Sequence, residues 1–399
     1  MPPSQEPRTR LLRDRGKERT AHVTNMELFF DLVYVFAFTQ LSAHLYGDLS
    51  WQGSAETAVI FVALWWSWSY TSWATGWIDP ERLPVLALLS VLMIASLVMA
   101  SAIPEAFRNR GETFAVAYVA MQLLRSAFIV WAFGLRDTMG RNYAQLLVWS
   151  AISGVVWIVG GVVHDQGARL AIWAVAAVVD LGAPLHGFRL PGAGATPMSD
   201  WTIAGGHLAE RCRLLLMIAF GESFLRLGES FARAPGTARG DAAFIVGFLL
   251  VLALWTTYFL HHAEPGARAI ERAGEEAGGL ARSAYLYAHA AMVGGVIVVA
   301  VAIHKVIEAP AADVSSGFAA ICVGGPALYL VGLALSKRWL GHGRFRRTMS
   351  GMVALAVIGT ATAFSTRLIE LVAVTVVALA VAIWAQLDGS GVLCVASPK

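Results

Sequence analysis

The fold class is decided by a stretch that reads LPVLALLSVLMIASLVMASAI at residues 83–103 and contains no charged side chain. A helix needs about 20 predominantly apolar residues to cross the hydrocarbon core of a bilayer, and this stretch meets that length. A transmembrane β-strand would alternate apolar and polar residues, which this stretch does not do. It therefore predicts a membrane-spanning α-helix, in which the backbone polar groups are satisfied within the segment.

Composition extends this prediction to the whole chain. Of the 399 residues, 57% are hydrophobic and 14% are charged, whereas a soluble domain carries about 25% charged residues. This composition excludes a soluble globular enzyme, a disordered chain and a disulfide scaffold. The formal net charge is only +3, and the basic residues lie mostly in predicted loops. We therefore expect the lipid bilayer as a partner and no nucleic acid.

We predict an all-α, polytopic helical membrane protein with about twelve transmembrane helices. The predicted spans are residues 26–46, 57–76, 83–103, 113–134, 143–163, 168–187, 208–230, 242–261, 284–306, 316–336, 348–366 and 368–387. The longest connection separates two sets of six spans. The predicted segments are a basic cytoplasmic tail at 1–24, a first six-helix half at 25–187, a cytoplasmic linker at 188–206, a second six-helix half at 207–388 and a short C-terminal tail at 389–399.

Faint internal similarity indicates a 6+6 parallel repeat. Span 2 contains WSWSY at residues 66–70, and span 8 contains WTTY at residues 255–258. Two parallel repeats would be related by an axis along the membrane normal. Chance similarity between apolar aromatic helices is the alternative interpretation.

The basic residues predict the orientation of the spans. With twelve spans, 19 of the 30 Lys and Arg residues lie on the side of the N-terminal tail, 7 lie on the other side or at a span end that faces it, and four lie deeper within spans. Cytoplasmic loops carry an excess of Lys and Arg, so we predict that both termini are cytoplasmic.

Span 1 carries two carboxylates on one helix face. Glu27 and Asp31 lie one turn apart, near the predicted cytoplasmic end. An ionisable group within a membrane helix costs about 2.5–3.5 kcal/mol on insertion scales and suggests a functional site. Both residues are therefore candidates for binding a substrate or an ion. The alternative is an interfacial Glu27 and an Asp31 that is hydrogen-bonded to a neighbouring helix.

Span 7 is the most polar of the predicted helices. Its first part contains Glu210 and Arg211, and its later part contains Glu222, Arg226 and Glu229. Spacings of four and three residues let Arg226 pair with both neighbouring glutamates. Except for Glu229, these residues are candidate substrate- or ion-binding residues, and structural ion pairing is the alternative.

Arg125 and His289 complete the set of candidate residues. Arg125 lies alone in the middle of span 4 and needs a carboxylate partner. Asp31, Asp180 and Glu222 are the candidate partners, and matching their depths in the membrane favours Asp31. His289 lies in span 9 near the predicted cytoplasmic side.

A metal site has weak support. His207 and Glu210 have the H-x-x-E spacing that places two ligands on one helix face. One such pair is little evidence, so we predict no metal and no cofactor. The sequence contains no G-x-x-x-x-G-K-[ST] loop and no serine nucleophile elbow. Their absence argues against ATP-driven pumping by this chain alone.

Two sequence motifs stand out, ELFFDLVYVFA at residues 27–37 and HLAER at residues 207–211 with GES at 221–223. Together they resemble the two signatures of the bacterial low temperature requirement A family, and the resemblance covers nearly the whole chain. The sequence departs from the family's pattern at WIDP, residues 77–80, and at Cys212-Arg213. The resemblance implies a multi-pass protein of the bacterial cytoplasmic (inner) membrane, from a family without a settled biochemical activity.

Span 1 also resembles the F-S-D-x-x-F-x-x-A-x-T pattern of a family of 6+6-span potassium or proton channels, in which this helix lines the pore. Phe29, Asp31, Ala37 and Thr39 align with that pattern. The second half lacks the motif, because Leu214 occupies the position that matches Asp31.

Three functions are consistent with these features, and the first is favoured. It is transport or permeation of a small ion or solute through a site of intramembrane carboxylates and arginines. The second is a membrane-embedded enzyme that acts on a lipid-soluble substrate by carboxylate and histidine acid–base chemistry or through a metal. The third is a structural stress-adaptation protein whose polar residues only hold helices together. No feature of the sequence predicts an oligomeric state.

Overall fold

The computed structural model describes residues 11–13, 23–192, 194–196, 201, 205–233, 236–341, 345–362 and 364–393. Most of the predicted basic tail, part of the predicted linker and the last six residues of the predicted C-terminal tail lie outside the described residues. Arg13 is the one basic residue of the tail that is described.

Twelve helices of at least 17 residues account for most of the described chain, and we number them α1 to α12. They are Asn25–Gly47, Trp51–Thr75, Leu83–Ala102, Gly111–Phe133, Thr138–Val162, Gln166–Gly182, Gly205–Arg233, Ala238–Phe259, Ala288–Glu308, Ser316–Trp339, Phe345–Thr362 and Arg367–Leu393. Each helix overlaps one predicted span, and the described residues contain no extended strand. The prediction of an all-α, polytopic helical protein is confirmed.

Nine of the helical segments in the described residues are long and apolar enough to cross a membrane. Helices α2, α7 and α11 are not among them. Helix α2 is rich in tryptophan and serine, α7 carries many charges, and α11 provides only a shorter apolar helix, Thr348–Thr362. Membrane crossing by these three helices stays a prediction.

Short polar side chains fix the starts of several helices. Asp137 accepts a hydrogen bond from the backbone N–H of Met139 at the start of α5, and Asp165 accepts one from Ala168 at the start of α6. Thr237 and Ser315 cap α8 and α10 in the same way. Each cap satisfies a backbone donor that has no partner within the helix.

The chain divides into two compact units. The first contains the described residues of Met1–His44, Gln52–Arg211 and Gly274–Gly279. The second contains those of Leu45–Trp51, Cys212–Ala273 and Leu280–Lys399. The division falls inside α7, and the 6+6 repeat stays a prediction.

Small residues let helices approach closely in the second unit, where α9 packs against α10. A Cβ atom at Gly295 would lie 2.6 Å from the backbone nitrogen of Tyr329, and one at Gly332 would lie 2.4 Å from the carbonyl oxygen of Ala288. Such contacts between backbones are typical of membrane helices, which gain little from hydrophobic association and depend on close packing.

Helix α1 turns its polar face inward. Glu27, Asp31 and Tyr34 are buried, whereas Phe29 and Leu32 on the opposite face are more than half exposed. This arrangement inverts that of a soluble protein and suits a helix whose outer face meets lipid. It places both carboxylates of α1 in the interior of the first unit.

Candidate functional site

The first unit contains a buried cluster of charged residues at the start of α1. The helix begins after Thr24, whose side chain and backbone N–H both donate to Oε2 of Glu27, at 3.0 and 2.9 Å. The backbone N–H of Glu27 in turn donates to Oγ1 of Thr24 at 3.4 Å. This is a capping box, which satisfies backbone donors at the helix start. Glu27 therefore helps to define where α1 begins.

Three basic side chains also contact the carboxylate of Glu27. Nη2 of Arg13 lies 2.8 Å from Oε2. Nε2 of His207 lies 2.8 Å from Oε1, and Nη1 of Arg211 lies 3.1 Å from the same oxygen. Both oxygens of Glu27 thus have several donors, and its charge is fully compensated by its neighbours.

The carboxylate of Asp31 has fewer hydrogen-bond donors than that of Glu27. Its Oδ1 accepts hydrogen bonds from Nη2 of Arg211 at 2.6 Å and from the indole of Trp68 at 2.7 Å. Its Oδ2 is buried and has no hydrogen-bond partner among the described residues. A buried acceptor left without a donor is costly. The cluster therefore has one unused acceptor, on the carboxylate that lies one turn deeper than Glu27.

Arg211 joins the two carboxylates, since its guanidinium contacts both Glu27 and Asp31. It also lies over the ring of Trp68, 5.9 Å from the ring centroid. Helix α7 positions it from the same face as His207, which is one turn away. The structure thus brings together three predicted candidates, Glu27, Asp31 and Arg211.

Sequence reasoning missed two members of this cluster. Arg13 belongs to a short segment whose backbone pairs with residues 77–79, which brings its side chain to Glu27. Trp68 was not among the candidate residues, and its indole N–H donates to Asp31. A signal for Glu27 was present in the sequence, because Thr24-x-x-Glu27 has the spacing of a capping box.

The expected pairing of Arg125 with Asp31 is wrong. Arg125 donates to Oε1 of Gln122 at 2.5 Å and makes two longer contacts with Ser67 and Thr71. Asp31 is instead occupied by Arg211. Depth matching compares positions along the membrane normal only, whereas rotation of each helix about its axis decides which side chains meet.

Asp180, another candidate partner of Arg125, has neutral donors. Its Oδ2 accepts hydrogen bonds from the hydroxyl of Tyr118 at 2.7 Å and from the indole of Trp157 at 2.9 Å. The amide of Gln122 donates to Tyr118 at 2.9 Å. A buried chain of hydrogen bonds therefore runs from Arg125 through Gln122 and Tyr118 to Asp180.

In the second unit, the later part of α7 carries a ladder of ion pairs. Nε of Arg226 lies 2.8 Å from Oε1 of Glu222, and its Nη1 lies 3.3 Å from Oε2 of Glu229. Arg233 extends the ladder to Glu229 at 2.7 Å. The structure thus contains the double pairing of Arg226 that the spacing predicts.

His289 lies in the second unit, directly after a π-helical turn at Ala281–Tyr287. Its Nε2 lies 2.9 Å from the hydroxyl of Tyr258, and its Nδ1 lies 2.7 Å from the carbonyl oxygen of Ala284. Because a carbonyl oxygen can only accept, Nδ1 carries a proton and Nε2 is placed to accept from Tyr258. Both ring nitrogens are therefore engaged.

The weak metal candidates are His207 and Glu210. His207 contacts Glu27, and Glu210 is only partly buried one turn further along α7. Within the described ranges, no group of three or more His, Cys, Asp or Glu residues is placed to hold a metal ion.

Comparison with known proteins gave two matches. The family described as bacterial low temperature requirement A protein (LtrA) matches residues 22–384 of the chain. An uncharacterized protein of Rhizobium meliloti (strain 1021) is 37% identical over 336 residues, which cover 84% of this chain and 81% of that protein. No solved structure matches at a significant level. The family match includes the whole segment from Glu27 to Arg211.

Proposed function

The chain belongs to the family of bacterial low temperature requirement A proteins, and we propose that it transports protons, or a small cation in their place, through its first unit. Asp31 is the group that takes up and releases the charge. The observation that carries the proposal is the unused Oδ2 of this buried carboxylate. A carboxylate within a membrane helix is a functional-site hypothesis by default.

The difference between the two carboxylates of α1 supports this role for Asp31. Glu27 has donors on both oxygens, so a proton or cation would have to displace one of them. Oδ2 of Asp31 can accept a proton without breaking the bonds that Trp68 and Arg211 make to Oδ1. When Asp31 is neutralised, Arg211 keeps a counter-charge in Glu27.

Hydroxyl groups continue the polar face of α1 beyond Asp31. Tyr34 lies about one turn further along, and its hydroxyl is 2.9 Å from Oγ of Ser67. Hydroxyl groups both donate and accept hydrogen bonds, which is what the transfer of a proton requires. We propose that the hydroxyl groups of Tyr34 and Ser67 are the next groups to accept and pass on the proton after Asp31.

The positive-inside count orients the pathway. The excess of Lys and Arg on the side of the N-terminal tail places the start of α1 near the cytoplasmic face. In this orientation Glu27, Arg13 and His207 form the cytoplasmic end of the cluster. We propose the bacterial inner membrane as its location.

Flux measurements in proteoliposomes test the proposal. Wild-type protein, Asp31→Asn and Glu229→Gln would be reconstituted at equal density, and proton uptake would be followed with an internal pH dye under an imposed gradient. We expect flux with wild-type protein and with Glu229→Gln, which makes the same chemical change at a partly exposed carboxylate. We expect Asp31→Asn to fall to the level of protein-free vesicles.

Size-exclusion chromatography must show that Asp31→Asn is folded before its flux is interpreted. A folded Asp31→Asn variant that conducts like wild type would exclude Asp31 as the carrier. Absence of wild-type flux for protons and for a panel of small cations would exclude transport of either. Repeating the measurement with potassium and sodium gradients distinguishes a proton from a larger cation.

A structural role for the cluster is the second candidate function. The carboxylate of Glu27 favours it, because both of its oxygens already have hydrogen-bond donors. Glu27 contacts the helix cap, the segment around Arg13 and the start of α7, so it holds three parts of the first unit together. A purely structural cluster predicts that Asp31→Asn changes the stability of the protein and shows the same flux as wild type.

A further inference from the structure

Three arginine side chains are almost wholly buried in the described part of the chain, and all three belong to the first unit. They are Arg125, Arg169 and Arg211. A buried guanidinium loses its hydration and needs compensating partners. Comparing the partners of the three shows which of these charges is left without compensation.

Two of the three are well compensated. Arg211 contacts the carboxylates of Glu27 and Asp31 at 3.1 and 2.6 Å. Arg169 donates to the backbone carbonyls of residues 106, 108, 160 and 163 at 2.7–3.2 Å. Two of these carbonyls lie at the C-terminal end of α5, where the helix dipole is negative.

Arg125 lacks such partners. Its one short hydrogen bond goes to the amide oxygen of Gln122, and its contacts with Ser67 and Thr71 are 3.5 Å long. Its Nε has no hydrogen-bond partner among the described residues, which is also true of Nε of Arg211, but Arg125 lacks the carboxylates that Arg211 contacts. No ion pair in the described part of the chain includes it. The guanidinium is therefore a buried positive charge with unused donors.

The neutral neighbours of Arg125 cannot replace a counter-ion. The ring of Tyr70 lies 5.2 Å from its guanidinium carbon, a cation–π contact. Such a contact recovers only part of what a guanidinium loses when it leaves water. Asp180 is the carboxylate at the far end of the hydrogen-bond chain, with two side chains between them.

We propose that Arg125 binds a small monovalent anion, a halide or a small carboxylate, inside the first unit. The anion would accept hydrogen bonds from Nε and from Nη1 of the guanidinium, beside the turn of α2 that contains Ser67 and Thr71. Guanidinium groups suit this task because they offer several donors in a fixed plane. The site uses the guanidinium of Arg125 and not Oδ2 of Asp31, and it does not rest on proton transport.

Binding to purified protein in detergent tests the site without any gradient. The midpoint of thermal unfolding would be measured in sodium chloride, sodium formate and sodium gluconate at equal ionic strength, and equilibrium dialysis would use radiolabelled chloride and formate. Wild type should bind chloride or formate saturably, with a rise in the midpoint relative to gluconate. The tighter of the two anions identifies the site as one for halides or for carboxylates.

Arg125→Gln should lose the saturable binding and the rise in the midpoint. Arg233→Gln is the matched control, because it removes an arginine whose side chain is 74% exposed, and it should bind like wild type. If Arg125→Gln does not fold, Arg125→Lys should bind about tenfold more weakly, since an ammonium lacks the planar set of donors. Wild type without saturable binding, or an Arg125 variant that binds as tightly as wild type, would overturn the proposal.

Discussion

Helix α7 carries ionisable residues in both its first and its last part, but the two parts use them differently. In the first part, His207 and Arg211 reach across to carboxylates of α1. In the last part, Arg226 and Arg233 pair with glutamates of α7 itself, three or four residues away. Pairs of the first kind join elements that are distant in sequence, whereas pairs of the second kind stabilise one helix.

The ion pairs in the first and last parts of α7 also differ in how deeply they are buried. The side chains of Arg211 and Asp31 are both 0% exposed, whereas those of Arg233 and Glu229 are 74% and 39% exposed. The pair of Arg226 with Glu222 is intermediate, at 12% and 0%. The effect of losing one partner should follow this order, because an unpaired charge is more costly in the interior than in water.

The largest effect is expected for Arg211→Ala. This change leaves Asp31 and Glu27 buried with one positive charge fewer between them, and breaking a buried pair costs about 3–5 kcal/mol. Unfolding of purified protein in detergent measures the loss. Arg213→Ala, at an exposed position two residues further along α7, is the control and should lose much less. Equal losses of stability in the two variants would show that the buried cluster of α1 and α7 contributes no more to stability than an exposed arginine does.

A double variant sharpens this prediction. Asp31→Asn removes the negative charge that Arg211→Ala leaves unpaired, so the combined variant should be more stable than the sum of the two single losses predicts. Additive losses would mean that Arg211 and Asp31 do not interact in the folded protein.

A smaller effect is expected for Arg226→Ala. Hydrogen bonds to charged groups contribute about 1.5–3 kcal/mol, and Glu222 is the buried partner. Exchanging the two residues in a Glu229→Gln background, as Glu222→Arg with Arg226→Glu, keeps the spacing of the pair and avoids repulsion between the new carboxylate and Glu229. If pairing along the helix is what matters, the exchanged variant should recover most of the stability that Arg226→Ala loses. A variant that does not recover would show that the buried position requires a carboxylate.

The intrahelical ladder could be predicted from the sequence, and the cluster between helices could not. Pairing at three and four residues follows from the geometry of one helix, so Glu222, Arg226 and Glu229 were sufficient to predict it. The helices could be predicted as well, because each of the twelve overlaps a predicted span, and nine helical segments of the described residues are long and apolar enough to cross a membrane.

The contacts of Arg125 and Arg13 show what the sequence leaves undetermined. Matching depths in the membrane predicted an ion pair of Arg125 with Asp31. The rotation of the helices about their axes instead places Arg125 beside Gln122 and α2. Arg13 reaches Glu27 only because the backbone near residue 12 pairs with that near residue 78. Contacts of this kind depend on tertiary packing, which no local spacing encodes.

The smallest effect is expected for Arg233→Ala. Its pair with Glu229 is a solvent-exposed contact at four residues, and such pairs contribute about 0.3–0.5 kcal/mol. The loss should diminish further at 1 M salt, where the Debye length is only about 3 Å. Unfolding at low and high salt measures both effects, with Arg239→Ala as a control arginine at an exposed position at the start of α8. A loss as large as that of Arg226→Ala, unchanged by salt, would mean that the end of α7 is shielded from water, and the contrast between the two parts of the helix would then rest on pairing geometry alone.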